Sequence, residues 1–73
     1  MIQINVKMAL TGRTIAMDVK SSDTVYDIKR KVHEKEGIQP EQQSLVFSGN
    51  ILEGTRLLSA CNVSKDATLH LVI

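Results

Sequence analysis

KEGIQPEQQSLVFSG, residues 35–49, carries the change from a helical pattern to a strand pattern in this chain. Gly37 is placed to end a helix in the left-handed conformation, and Pro40 keeps that helix from continuing. The segment Ser44-Leu45-Val46-Phe47 is then typical of a short strand. The sequence therefore predicts that a helix, a turn and a strand follow one another here.

Val46 interrupts the alternation that a half-buried strand normally shows, because both of its neighbours are apolar as well. If Leu45 and Phe47 face a core, Val46 faces water. This exposure has an ordinary explanation, since β-branched residues suit strands on either face. The alternative explanation is that Val46 belongs to an apolar surface patch that binds a partner.

Two strands joined by a turn are predicted for the first third of the chain. Residues 2–7 alternate, and their apolar face consists of Ile2, Ile4 and Val6. Residues 15–19 alternate in the same way, with an inward face of Ile15, Met17 and Val19. Gly12 lies in the connecting segment 9–12, where a residue with positive φ is expected. These features predict a β-hairpin.

A helix of about residues 24–36 is predicted next. Thr24 and Asp27 have the spacing of a capping box, in which each side chain binds the backbone N–H of the other residue. Apolar residues then recur at helical spacing and form the buried stripe Val25, Ile28 and Val32. A turn is predicted at 48–50, residues 51–67 are expected to be irregular, and the last strand is expected at 68–73.

The element order β-β-α-β-β predicts an α+β fold. A single helix can cover only one face of a four-stranded sheet, so the other face meets solvent. In the last strand His70 and Val72 are predicted to point toward that solvent-facing side. The side chains predicted to point inward from the sheet are Ile4, Val6, Ile15, Val19, Leu45, Leu69 and Leu71.

The composition is that of one compact domain, residues 1–73. The 42% hydrophobic and 23% charged content is normal for a globular fold. A net charge of +1 gives no support for a nucleic-acid or anionic-membrane partner, and no apolar run approaches the length of a membrane span. The single cysteine, Cys61, fits a reducing compartment. We therefore expect a monomer in the cytoplasm or the nucleus.

Residue types that carry chemistry are few and scattered. His33 and His70 have no neighbouring nucleophile or carboxylate pattern that suggests a catalytic triad. Cys61 has neither a second cysteine nor a histidine at metal-ligand spacing, so no zinc site is expected. The sequence predicts a protein that is not an enzyme and that holds no metal or cofactor.

A series of short motifs runs through the chain in a fixed order: LTG with TI, SDTV, KEGI, PEQQ, LVFSG and ATLHLV. In this series the chain resembles the ubiquitin family over its whole length. No single motif is a signature, but the ordered series is specific. The resemblance implies the β-grasp fold, in which the first and last strands lie side by side and parallel at the centre of the sheet.

The resemblance also implies a use for Val46. In the ubiquitin family, partner proteins dock on a small apolar patch of the solvent-facing side of the sheet. The positions that match this patch are Leu10, Val46, Gly49, His70 and Val72. The partners implied are ubiquitin-binding or proteasomal receptor proteins.

The differences from ubiquitin bear on conjugation. Ubiquitin-type modifiers end in a flexible tail with two glycines, whose carboxylate is adenylated, passed to a cysteine and joined to a lysine. The sequence stops at Ile73, before such a tail. Ser44 replaces an arginine that helps contact the activating enzyme, and Asn50 replaces a chain-forming lysine. The lysines that do match the family are Lys7, Lys29, Lys31, Lys35 and Lys65.

Two functions are consistent with these residues. The first is a non-catalytic ubiquitin-like domain that docks its parent protein on ubiquitin receptors or the proteasome. The second is a divergent covalent modifier whose diglycine tail is missing from this sequence and which works with conjugation enzymes. The missing tail and Ser44 favour the docking domain, whereas the close full-length match favours the modifier. On balance the sequence slightly favours the docking domain.

Overall fold

All of residues 1–73 are described by the computed structural model, in which a five-stranded mixed sheet packs on one helix. The predicted α+β class is confirmed. The elements in chain order are β1 (Ile2–Met8), β2 (Thr14–Val19), α1 (Val25–Glu36), β3 (Ser44–Phe47), β4 (Asn50–Leu52) and β5 (Thr68–Val72). A short 3-10 turn, Pro40–Gln42, connects α1 to β3.

The strand order across the sheet is β2-β1-β5-β3-β4. β1 and β5 run parallel, with Val6 opposite Leu69, and every other neighbouring pair is antiparallel. β5 is therefore the central strand and has a hydrogen-bonded neighbour on each side. The family resemblance implied this parallel pair, whereas hydrophobic periodicity could not, because it specifies a residue's face but not the neighbouring strand.

The core lies between α1 and the inner face of the sheet. Thirteen buried apolar side chains form it, including the three that were predicted from α1: Val25, Ile28 and Val32. Of the residues predicted to point inward from the sheet, Ile15 is only half-buried, and the other six are fully buried. Ile15 lies at the end of β2 that adjoins the β1–β2 turn, whereas Met17 and Val19 farther along the same edge strand are buried.

Thr24 and Asp27 form the predicted capping box at the start of α1. The Asp27 N–H donates to Thr24 Oγ1 at 3.3 Å, and the Thr24 N–H donates to Asp27 Oδ2 at 2.9 Å. Gly37 ends the helix at a φ of 75°, and its N–H donates to the His33 carbonyl oxygen. Because Thr24 is the extended N-cap residue, the helix itself begins one residue later than predicted.

The predicted irregular segment 51–67 is wrong at its start, because β4 pairs with β3 over Asn50–Leu52. Ser48 and Gly49 have φ values of 52° and 80° and form a two-residue turn, with Phe47 opposite Asn50. Two successive left-handed residues are typical of a type I′ hairpin turn. Asn50, which was predicted to lie in the turn, is therefore the first residue of β4.

The capping box makes the free energy of unfolding depend on pH in the acidic range. The Thr24 backbone N–H is the main reason that the Asp27 carboxyl has a pKa below its usual 3.8, and burial opposes this effect only in part. A pKa lowered by folding contributes stability above the unfolded value, and this contribution is lost as the pH falls through the folded pKa. In acid titrations of the free energy of unfolding below about pH 4, Asp27→Asn should show a weaker pH dependence than the wild type.

The control for this prediction is Glu34→Gln, which removes an exposed carboxylate from the same helix. This variant should keep the acid-dependent loss of stability that the wild type shows. Equal acid dependence in Asp27→Asn and the wild type would contradict the role assigned to the capping box.

Two glycines should respond in opposite directions to alanine. Gly49 has a left-handed backbone, which costs an alanine about 1–2 kcal/mol, so Gly49→Ala should lower the free energy of unfolding by that amount. Gly54 has no such backbone, and a methyl group there would lie 3.7 Å from Tyr26 Cβ, an ordinary contact distance. Gly54→Ala should therefore raise the free energy of unfolding by about 0.4–1 kcal/mol, through the lower entropy of the unfolded chain. Denaturant titration measures both effects, and a destabilised Gly54→Ala would contradict the prediction.

Candidate interaction surface

The sheet face that points away from α1, called the open face below, carries the residues that the sequence analysis singled out. Along β5, Leu69 and Leu71 are buried against the core, whereas His70 is exposed and Val72 is 44% exposed. The predicted direction of these four side chains is confirmed. The open face therefore presents a histidine and a valine from the central strand.

Val46 lies on the same face of the neighbouring strand. It is opposite His70 of β5 on one side and opposite Ile51 of β4 on the other. Val46 faces away from the core, as its position in the sequence predicted, but it is half-buried. The reason is its place between two paired strands, whose side chains cover part of it.

Leu10 and Gly49 lie in turns at opposite ends of this surface. Leu10 is 79% exposed in the turn between β1 and β2. The Ala9 N–H donates to the Leu71 carbonyl oxygen at 3.0 Å, which holds this turn beside the end of β5 and thus near Val72. Gly49 lies in the β3–β4 turn, beyond the other end of the Val46–His70 pair. The structure thus brings Val46, His70 and Val72 together in the sheet and adds Leu10 at one end.

Ile51 is an apolar residue of the open face that the sequence analysis did not identify. Its side chain is 73% exposed and lies opposite Val46. It was missed because residues 51–67 were expected to be irregular. The dipeptide Ser48-Gly49 between two apolar runs was the available signal, since such pairs mark hairpin turns and fix which residues face each other.

The candidate conjugation lysines differ in accessibility. Lys7, Lys35 and Lys65 are exposed, whereas Lys29 and Lys31 are half-buried. The Lys31 Nζ donates to the Asp18 carbonyl oxygen at 3.3 Å, so that amine is already engaged. The three exposed amines are therefore the more accessible nucleophiles.

Residues that could carry chemistry lie apart from one another. Cys61 is a free, half-buried thiol packed against the core, and His33 is half-buried on α1. No three side chains of the histidine, cysteine, aspartate and glutamate types come together as metal ligands would. Neither helical segment has the length and apolar character needed to span a membrane.

Comparison with known proteins identifies the family. The family model described as "Ubiquitin family" matches residues 4–73, which is nearly the whole chain. This chain belongs to the ubiquitin family. The β-grasp fold that the resemblance implied is thereby confirmed, together with the five-stranded mixed sheet and single helix of the structure.

Several family members with NEDD8-like names are similar to this chain. It is 41% identical over 64 residues to the NEDD8-like protein RUB1 of Saccharomyces cerevisiae, covering 88% of this chain and 83% of that protein. Identity to the ubiquitin-like protein NEDD8 of Dictyostelium discoideum is 40%, with the same coverage. For ubiquitin-like protein 1 of Schizosaccharomyces pombe it is 39%, over 82% of that protein. These findings favour the modifier function over the docking domain that the sequence slightly favoured.

The opposite directions of the Leu45 and Val46 side chains in β3 can be tested with an alanine variant of each. Leu45 is fully buried in the core, so Leu45→Ala should lower the free energy of unfolding by about 2–5 kcal/mol. Val46 lies half-buried on the open face, so Val46→Ala should cost roughly 1 kcal/mol or less. Denaturant titration compares the two, and equal losses would show that Val46 is part of the core.

Proposed function

We propose that this chain is the folded domain of a covalent protein modifier of the ubiquitin type. The observation that carries this proposal is its similarity, over most of both chains, to small NEDD8-like members of the ubiquitin family. In this function the chain is the group that is transferred, and enzymes of a conjugation pathway carry out the chemistry. The protein itself is not an enzyme.

The coverage of the relatives supports the modifier over the docking domain. The relatives with this similarity are small proteins, in which the matched domain makes up most of the chain. Here 64 matched residues make up 83% of the RUB1 relative, so that relative is itself hardly longer than one domain. The missing tail and Ser44 are the two features that favour a docking domain. Ser44 lies opposite Val72 at the edge of the open face, where it alters a contact surface and leaves the fold intact.

The proposed transfer needs a C-terminal tail after Ile73. The tail's terminal carboxylate attacks ATP and forms an acyl-adenylate, with release of pyrophosphate. A cysteine thiolate of the activating enzyme then displaces AMP and forms a thioester. Finally, the neutral amine of a target lysine attacks the thioester carbonyl, which forms an isopeptide bond, releases the thiol and leaves the amine's proton with a base. A terminal pair of glycines leaves this carboxylate unhindered.

The open face would provide recognition in this pathway. We assign partner binding to Leu10, Val46, Gly49, His70 and Val72, with conjugation enzymes, target proteins and ubiquitin receptors as the partners. The apolar pair Val46 and Val72 and the exposed Leu10 supply the contact area. Proteasomal receptors and a cytoplasmic or nuclear location belong to the same proposal, as does a single-domain, monomeric state.

Chains of the modifier would use an exposed lysine. Asn50 has an amide in place of an amine, and this amide is not a nucleophile, so linkage through residue 50 is excluded chemically. Among the family-matched lysines, the side chains of Lys7, Lys35 and Lys65 are exposed. We propose these three as the acceptors, ahead of the half-buried Lys29 and Lys31.

The test uses the complete natural gene product and an extract of its own organism. With ATP present, the tagged protein should form higher-mass adducts that survive denaturation, and mass spectrometry should find isopeptide bonds from its terminal glycine to lysines. Omission of ATP and removal of the last glycine should each abolish the adducts. A natural chain that continues into a larger, unprocessed protein and forms no ATP-dependent adduct would support the docking domain instead.

A further inference from the structure

A cleft lies at the outer edge of β4, away from the residues assigned to partner binding. It is lined by the end of β3, by β4 and by parts of the loop that follows. Its volume of about 420 Å³ falls within the ~300–1,000 Å³ that small-molecule sites occupy. None of Leu10, Val46, Gly49, His70 and Val72 lines it. The cleft is therefore a separate candidate site.

Part of the cleft is apolar. Phe47, Leu52 and Cys61 line it and are half-buried, because they also pack against the core. An aromatic ring suits this surface, since it can stack on Phe47 and contact the polarizable sulfur of Cys61. Ala60, which also lines the cleft, is small and exposed, so it leaves the space open. These features favour an aromatic group as the apolar part of a ligand.

Backbone groups of β4 supply hydrogen-bond donors on this side. Phe47 and Asn50 flank a two-residue turn and exchange both of their hydrogen bonds, so the next pair, Val46 and Ile51, exchanges none. The Ile51 N–H therefore points away from β3, toward the side where β4 has no neighbouring strand. The same alternation turns the Glu53 N–H to that side, and it donates to no other backbone group. Ile51 and Glu53 both line the cleft, so their N–H groups are available to an acceptor there.

Arg56 adds a positive charge next to these donors. Its backbone N–H donates to the Glu53 carbonyl oxygen at 3.1 Å, which holds the two residues in one tight turn. The Arg56 side chain is exposed and lines the cleft. The one ion pair of the structure joins Arg13 and Glu36, so the Arg56 guanidinium has no carboxylate partner within the chain. A guanidinium beside free N–H groups is suited to bind a carboxylate.

We propose that this cleft binds small aromatic carboxylates. The ring lies on Phe47, Leu52 and Cys61, and the carboxylate accepts hydrogen bonds from the Glu53 N–H and the Arg56 guanidinium. The apolar surface selects the ring, and the donors select the negative charge. The inference does not depend on the proposed conjugation function or on recognition by the open face.

A second cleft of the same volume shows why the chemistry of the lining matters. It lies beside β2 and α1, and seven of its nine lining residues are charged, with both signs present. Arg30 is one of them and is exposed. This cleft lacks the apolar surface that would hold a ring, so it serves as an internal comparison for the site beside β4.

The experiment titrates the isotopically labelled 73-residue chain with three probes and follows its backbone amide shifts. The probes are hydrocinnamate, its neutral amide hydrocinnamamide, and the cationic phenylpropylamine, which share a ring and differ in charge. Hydrocinnamate should produce saturable shifts at Ile51, Glu53, Arg56 and Cys61, with a dissociation constant in the millimolar range expected for so small a ligand. Hydrocinnamamide should bind up to about fivefold more weakly, because it lacks the charge that pairs with an exposed cation. Phenylpropylamine should produce no saturable shift there.

Two arginine variants separate the site from a general attraction to positive charge. Arg56→Gln should remove the preference for hydrocinnamate over hydrocinnamamide, while the affinity for the amide stays unchanged. Arg30→Gln is the matched control, since it removes an exposed arginine from the other cleft, and it should leave both affinities unchanged.

Two further variants fill the cleft. Cys61→Phe places a ring where the ligand's ring would lie and should abolish the shifts. Because a larger side chain against the core can also destabilise the fold, Ala60→Leu is the second blocking variant, introduced at an exposed position. It should weaken binding of hydrocinnamate at least severalfold while the spectrum remains that of the folded chain.

Three results would overturn the proposal. Equal affinities for hydrocinnamate and phenylpropylamine would show that the cleft does not select a carboxylate. Equal losses in Arg56→Gln and Arg30→Gln would show that the anion is attracted by the overall charge of the chain. Unchanged binding in folded Ala60→Leu, or shifts that do not saturate, would show that the cleft is not the site. None of these results bears on the ATP-dependent conjugation test.

Discussion

α1 has 12 residues and is about 18 Å long, which is enough to cover only one face of a five-stranded sheet. Because only one face is covered, the two faces of the sheet have different roles. The inner face of the sheet supplies eight of the thirteen buried core residues, and its strands bury side chains such as Ile4, Val6 and Leu45. The open face has no second layer, so whatever apolar side chains it carries stay accessible. A binding surface on that face needs no conformational change to become available.

The placement of α1 on the sheet depends on polar contacts at the start of the helix and along it. The capping box of Thr24 and Asp27 fixes its start. The buried Gln43 side chain donates through Nε2 to the carbonyl oxygen of Lys29 within α1, at 3.0 Å, and to that of Ile38 just after the helix, at 2.9 Å. Gln43 precedes β3 directly, so this amide ties the helix to the strand that carries Val46. Because both bonds come from a buried side chain, they define the geometry more firmly than the exposed Arg13–Glu36 pair does.

Local sequence patterns predicted most of the helices and strands but not which strands lie side by side in the sheet. The hairpin, the capping box, the glycine that ends α1 and the alternation of β5 follow from spacing alone, because each depends on residues close together in the chain. The parallel pairing of β1 with β5 joins residues more than sixty positions apart, and only the family resemblance implied it. β4 was missed because three residues after a Ser-Gly turn carry little periodicity. Because β4 was not predicted, Ile51 was not recognised as part of the candidate surface, and the predicted surface was too small.

β5 links the two roles proposed for this chain. Its outward residues His70 and Val72 lie on the open face, and its last residue leads directly to Ile73, which is 57% exposed. β5 is also paired with β1 on one side, up to Leu71, and with β3 on the other, up to Val72. A partner that binds the open face therefore contacts the rigid base from which any following tail emerges. In the proposed modifier, a tail that follows this base would keep its conformational freedom, so an enzyme could position its carboxylate while it holds a fixed surface. Substitutions that change the outward side chains of β5 can thus alter recognition while the backbone of β5 stays held by its neighbouring strands.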